Sequence, residues 1–205
     1  MPFFSVIIPA HNSEKYILRG LESIKNQSFS DYELIIVCDK CTDNTKELAL
    51  RYTDKVYTSE FGSAGGARNI GLDNATGKWV LFMDDDDWFL HEYVFEQLYE
   101  HLKKDKTNEV CAFSFIFKTQ GYAKCNRWDA VWNKAWRLDY LNKHNYRFPS
   151  TLLWDDTKFT GDALPKAKVD FWDMPLYYYN YMREGSVTWQ KDKGLIEDIP
   201  QNPFI

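Results

Sequence analysis

Long apolar runs are missing from this 205-residue chain. None approaches the roughly 20 residues that a helix needs to span a bilayer. The start, "MPFFSVIIPAHN", has neither a basic opening nor an apolar core of secretory length, so no signal peptide is expected. A basic excess is missing too. Lys and Arg number 25 against 30 Asp and Glu, a formal net charge of −5, which argues against nucleic acid as a specific partner. Cysteine is scarce. Of Cys38, Cys41, Cys111 and Cys125, only the first two form a C-x-x-C, and the second pair that a zinc site would need is lacking. Reduced thiols are expected, although the spacing alone leaves a thioredoxin-like pair open. These absences point to a soluble, cytoplasmic protein with no transmembrane segment, and leave room for peripheral contact at the inner membrane face.

Aromatic residues are plentiful at 17%, within a hydrophobic fraction of 44%. The length suits one domain, residues 1–205. Short apolar runs over Phe4–Ala10, Tyr32–Asp39, 55–60 and Lys78–Met83 read as buried strands. Helical patterns lie between them. One follows Asn12 or Ser13 as N-cap and carries Ile17, Leu21 and Ile24 on one face; a second starts near Thr42, a third near Ala67, and a fourth covers 90–104. Strands alternating with helices predict parallel β-α-β units. Beyond Asn108 the rhythm changes. Residues 110–117 read as a fifth strand and 175–182 as a later one. Residues 128–144 read as a helix with Trp128, Trp132 and Trp136 as a core-facing stripe.

In an open α/β sheet, ligands bind beyond the carboxyl ends of the parallel strands. Three such ends carry polar residues: Pro9–His11, Cys38–Asp39 and Asp84–Asp87. In "VLFMDDDDWF" four adjacent carboxylates repel one another unless a cation offsets them. Mg2+ and Mn2+ prefer such hard oxygen ligands and use one or two protein carboxylates alongside phosphates. A solvated turn is the plain alternative. Arg68, in "GGARN", has a planar fork suited to phosphate oxygens, or is a surface arginine. Asp39 caps the next helix or reads a ligand; His11 stacks on a base or fills a turn.

Taken together, "FSVIIPAHN", "VCDKCTDNT", "GGARNIG" and "GKWVLFMDDDDWF" closely resemble, in order and spacing, the N-terminal half of family 2 glycosyltransferases. That pattern runs S-V-I-I-P-x-Y-N, V-D-D-G-S-x-D-x-T, A-R-N-x-G and G-x-Y-I-x-F-L-D-x-D-D. "VWNKAWR", "RFPSTLLWDDTKF" and "YYYNYMREGSVT" match later landmarks more loosely. The resemblance implies a GT-A fold: Rossmann-like, a mostly parallel sheet flanked by helices, with a small mixed C-terminal part. Residues 1–108 would bind the nucleotide-sugar, and 109–205 would bind the acceptor and supply the base.

It also implies roles. Pro9, Ala10 and His11 would line the base pocket, with Glu14 near the ribose or base and Asp39 reading the pyrimidine edge. Arg68 would contact the nucleotide-sugar, and Asp84 the ribose. Asp85 stands between it and the metal ligand Asp86, while Asp87 and Trp88 border the donor sugar or acceptor. Asp155 occupies the Glu position of the family's Glu-Asp pair, and Asp156 the position of its catalytic base. Arg183 and Ser186 could reach the diphosphate, or belong to a sheet-edge turn. Where the family has Asp-Asp-Gly-Ser, this chain has Cys38-Asp39-Lys40-Cys41, which puts base preference in doubt.

The function implied is a Mn2+- or Mg2+-dependent inverting glycosyltransferase. It would move a sugar from a nucleotide diphosphate, UDP first, to an acceptor hydroxyl on a glycan or other polymer. The acceptor wall would be minimal, or completed by a second subunit in a homo-oligomer. One rival is a non-catalytic nucleotide-sugar-binding protein of the same fold. The other is a flavodoxin-like phospho-acceptor module, in which the Gly-Gly-Ala-Arg-Asn segment has no task.

Overall fold

The computed structural model describes residues 1–118, 121–123, 129–149, 151 and 153–195. Among them nine strands form one sheet: β1 (Phe4–Ala10), β2 (Tyr32–Asp39), β3 (Val56–Ser59), β4 (Trp79–Phe82), β5 (Trp88–Phe89), β6 (Val110–Phe117), β7 (Gly121–Ala123), β8 (Lys134–Arg137) and β9 (Val169–Tyr179). The helices are α1 (Ile17–Lys25), α2 (Thr45–Ala49), α3 (Ala64–Asn74), α4 (Val94–Leu102), α5 (Leu138–Lys143), α6 (Asp155–Ala163) and α7 (Val187–Asp192).

The strand order is β3-β2-β1-β4-β8-β6-β9-β5, with β7 on β6. β1 pairs in parallel with both β2 and β4, so the chain winds outward on one side of β1 and then crosses to the other. Such a reversal opens a crevice beyond the strand's carboxyl end. β8 runs antiparallel to both β4 and β6, which restores the direction of β6 and its parallel partner β9. The ends of β6 and β9 therefore reach the same rim as those of β1, β2 and β4. The strands up to β4 pair with one another in parallel, as the alternating pattern predicts, and the later strands add the mixed part.

Side-chain alternation along β1 feeds two cores. Phe4, Val6 and Ile8 join the α1 and α4 side, where Ile17, Leu21 and Ile24 are buried. Ile7 faces α3 and α6 with Val80, Phe82 and Phe159. The second contact needs Gly71, because a Cβ there would sit 2.3 Å from Ile7 Cγ2.

Three local expectations change. α1 starts at Ile17, after a turn in which the Ser13 carbonyl accepts from the Tyr16 and Ile17 N–H groups. α2 is a single short turn from Thr45, not a helix from Thr42. The helix expected over 128–144 is instead a turn, then β8, then α5, with Trp128 outside the described residues. Trp136 sits in β8, donates to the Val131 carbonyl and packs edge-on against Phe159, so its partners lie across the fold rather than along a helix.

At the opposite end of the sheet, Glu33 ties β1, β2 and the approach to β4 together. Its carboxylate accepts from Ser5 Oγ at 2.5 Å, the Thr76 N–H at 2.7 Å, the Gly77 N–H at 3.0 Å, and Lys55. Burial pushes this carboxyl up, but the donors outweigh it and hold it at about 2, below its usual 4.5. A depressed pKa gives stability that is present above 4.5 and lost as pH falls toward 2. Glu33→Ala is expected to cost about 2–3 kcal/mol at neutral pH. In thermal melts the gap to wild type should close on acidification through that window.

Candidate active site

The crevice is a cavity of about 700 Å3. Pro9, Ala10 and His11 reach it from the end of β1, and Asp39 from the end of β2. Asp84, Asp85 and Asp86 follow β4, while Arg68 comes from α3 and Asp155 and Asp156 from α6. Segments far apart in the chain thus meet at one rim.

Arg68 is the hub. Its guanidinium is buried at 4% exposure and bonds three carboxylates: Nη1 donates to Asp155 at 2.6 Å and to Asp156 at 2.8 Å, and Nη2 to Asp84 at 2.7 Å. Two local features allow this. At Gly65 a Cβ would stand 2.7 Å from the Pro149 carbonyl and 3.1 Å from Asp155 Cβ, so only glycine lets the first turn of α3 come so close. Trp154 adopts a left-handed φ of 65° and turns the chain so that Asp155 and Asp156 open α6, where the helix dipole favours negative charge. Arg68 Nε is buried with no acceptor among the described residues, a donor that a ligand oxygen would satisfy.

Burial pushes the Asp156 carboxyl up to about 8; Arg68 pulls it down, and Asp155 and Asp84 push it up again. Burial likewise raises Asp85 to about 7, with the neighbouring Asp86 charge adding to the shift, while the His11 N–H, donating at 3.0 Å, opposes it. Asp86 is raised by burial as well, although Arg183 holds it in a salt bridge. These carboxylates have more negative charge than the protein cations offset. As hard oxygen donors they fit Mg2+ or Mn2+, which take one or two carboxylates and complete their shell with water and phosphate.

Asp39 Oδ1 accepts from Ser59 Oγ at 2.7 Å, and its carbonyl is 2.6 Å from His11 Nδ1, which joins β1, β2 and β3 at the rim. The thiols of Cys38 and Cys41 hydrogen-bond to each other, which raises the first and lowers the second to about 7. Cys125 lies outside the described residues.

Three expected neighbours do not line the cavity. Glu14 Oε2 instead accepts from Asn44 N–H at 3.0 Å and Asn44 Nδ2 at 2.8 Å, bracing the loop before α2. Asp87 is fully buried beneath the rim. It accepts from Tyr177 Oη at 2.7 Å and the Asn180 N–H at 2.7 Å, pinning β9 to the aspartate loop. Trp88 is stacked on Tyr178 at 4.0 Å, outside this cavity. Arg183 and Ser186 do line it, and Ser186 also caps α7 by accepting from the Trp189 N–H at 3.2 Å. Trp132, Trp154 and Tyr179 form part of the wall without having been singled out as ligand contacts. Aromatic density was the available signal for them, but it marks core equally well.

The model for glycosyl transferase family 2 matches residues 5–158. Poly(ribitol-phosphate) beta-N-acetylglucosaminyltransferase TarS of Staphylococcus aureus (strain MW2) is 38% identical over 206 residues, covering 89% of this chain and 36% of TarS. The crystal structure of S. aureus TarS 1–349 in complex with UDP-GlcNAc has a TM-score of 0.81 at 26% identity, over 92% of this chain and 61% of that one. The mannosyltransferase PcManGT from Pyrobaculum calidifontis, in complex with GDP-Man and Mn2+, has a TM-score of 0.73 over 94% of this chain and 61% of that one. At 18% identity it speaks to the fold alone. The chain spans between 15% and 65% of the length of its curated relatives.

Proposed function

The chain belongs to glycosyl transferase family 2, and from that membership we propose that it transfers a sugar, with inversion, from a UDP-sugar to a hydroxyl of a glycan or other polymer. The observation that carries this reading is the meeting of Asp39, Arg68, Asp86 and Asp156 around one cavity. Likeness to TarS, solved with UDP-GlcNAc, supports uridine and a hexosamine-type sugar in the donor.

In this reading residues 1–108 hold the donor and 109–205 the acceptor and the base. Pro9, Ala10, His11 and Asp39 take the base, and Asp84 and Asp85 flank the ribose and diphosphate. Asp86 is the metal ligand, and a divalent ion bound there supplies positive charge to the leaving diphosphate. Arg68 orients Asp155, Asp156 and Asp84. Asp156 accepts the proton of the acceptor hydroxyl, which is a poor nucleophile until a carboxylate takes it. Attack from the face opposite the diphosphate inverts the anomeric carbon. A non-catalytic nucleotide-sugar-binding protein would bind the donor in the same way and transfer nothing, so a transfer assay on the wild type separates the two readings.

Thermal-shift titration with UDP-GlcNAc tests the donor side. Ligand at about 100 times its Kd should stabilise the fold by about 2.7 kcal/mol. Mn2+ should enlarge the shift in the wild type, and Asp86→Ala should abolish the metal-dependent part while keeping the metal-independent part. An undiminished Mn2+ effect in the variant would remove Asp86 from the metal site.

A further inference from the structure

Beside the donor cavity lies a second one, of about 360 Å3, which shares Asp86 and Asn180 with it. Its character is different. Lys15, Arg19 and Lys118 line it, against a single carboxylate, Asp86, which Arg183 already holds. None of the three cationic head groups forms a hydrogen bond or ion pair among the described residues. Arg19 is fixed in place all the same. Its guanidinium lies 3.3 Å over the ring of Trp88, whose stacking partner is Tyr178. Both faces of Trp88 are therefore covered, so the cavity offers no open ring for a sugar to stack upon. It offers three exposed cations lining one cavity, in a chain whose net charge is −5.

We propose that this second cavity binds a phosphate group carried by the acceptor, so that the acceptor is a phosphorylated chain rather than a neutral glycan. The inference rests on the donor reading above, because it makes the cavity shared at Asp86 an extension of the donor site. A phosphate there would meet two exposed ammonium groups and one stacked guanidinium, a mixture of point charges and planar fork that suits a phosphate ester. Two sources share this chemistry: the backbone of a polyol phosphodiester, and the diphosphate of a lipid-linked sugar.

The test uses the full chain saturated with UDP, so that the donor cavity is filled. Binding of three probes is measured: a synthetic glycerol phosphodiester oligomer, a short-chain prenyl diphosphate, and a neutral oligosaccharide of matching length. One phosphorylated probe should bind and weaken with added salt, its identity naming the source, while the neutral one should not. Lys15→Glu combined with Lys118→Glu should weaken the phosphorylated probe by about tenfold or more. The UDP-induced rise in melting midpoint should persist in the variant and report its folding. Equal binding of the neutral probe, an unchanged affinity in the variant, or loss of its UDP shift would overturn the proposal. A wild-type chain that ignores UDP would bring down the donor reading and this one with it. UDP binding without phosphate binding would bring down this one alone.

Discussion

Arg68→Ala should be the most damaging single substitution in the protein. It removes one buried cation and strands three carboxylates, Asp84, Asp155 and Asp156, around the space it leaves. Breaking a buried ion pair by deleting one partner costs about 3–5 kcal/mol. For a chain of this size that is a fall of roughly 10–15 °C in melting midpoint. The loss has a sign in pH. Without the guanidinium the three carboxyls bind protons more tightly in the folded state, so the variant loses stability faster than wild type as pH rises above the usual carboxylate range. The gap between the two melting curves should therefore widen from pH 5 to pH 8. Arg68→Lys keeps a charge but has no fork to span the carboxylates, so it should fall between the two. Activity should drop by about a hundredfold or more even where the variant is folded, because Asp156 loses the group that orients it. A variant within about 1 kcal/mol of wild type, with no dependence on pH, would show that Arg68 organises nothing.

That hub was only half visible in the sequence. β1, β2 and β4 could be read because each is an apolar run that stops at polar residues, and a parallel sheet brings such stops to one rim. Asp39, Asp84, Asp85 and Asp86 were singled out in that way, and Arg68 separately, from the Gly-rich segment that opens α3. The pairing of Arg68 with Asp155 and Asp156 spans 87 and 88 residues, and no local pattern encodes it. Asp87 stands in the same run as its neighbours yet points inward to Tyr177, since successive residues of a tight turn face different ways. The tryptophans at 132 and 136 fit a helical spacing, but so short a match does not distinguish a helix from a turn and strand. Burial of Lys134, whose ammonium donates to the Ala130 carbonyl at 2.5 Å and to Asn133 Oδ1 at 2.8 Å, needs the folded turn to be seen at all.

Asp156→Asn should move activity and stability in opposite directions. Burial lifts the wild-type carboxyl from 3.8 to about 8, so the folded chain holds a proton that the unfolded chain has released throughout that interval. Stability then falls as pH rises from 3.8 through about 8, because the folded state must carry an increasingly unwelcome charge. Asparagine carries none. The variant should be nearest to wild type around pH 4 and gain on it as pH rises, exceeding it by on the order of 1–3 kcal/mol near pH 8 once a weaker bond to Arg68 is set against the gain. Transfer should fall by about 10²–10⁴-fold, the usual worth of a positioned base. In the wild type, kcat/KM for the acceptor should climb with pH toward about 8, since only the ionised carboxylate can accept the proton. The UDP-induced thermal shift should survive, because nothing on the donor side has changed. A damaged fold cannot imitate a more stable, donor-binding, inactive variant. If Asp156→Asn instead kept its transfer rate and Asp155→Asn lost it, the base would be the other carboxylate on Arg68 Nη1, 2.6 Å away.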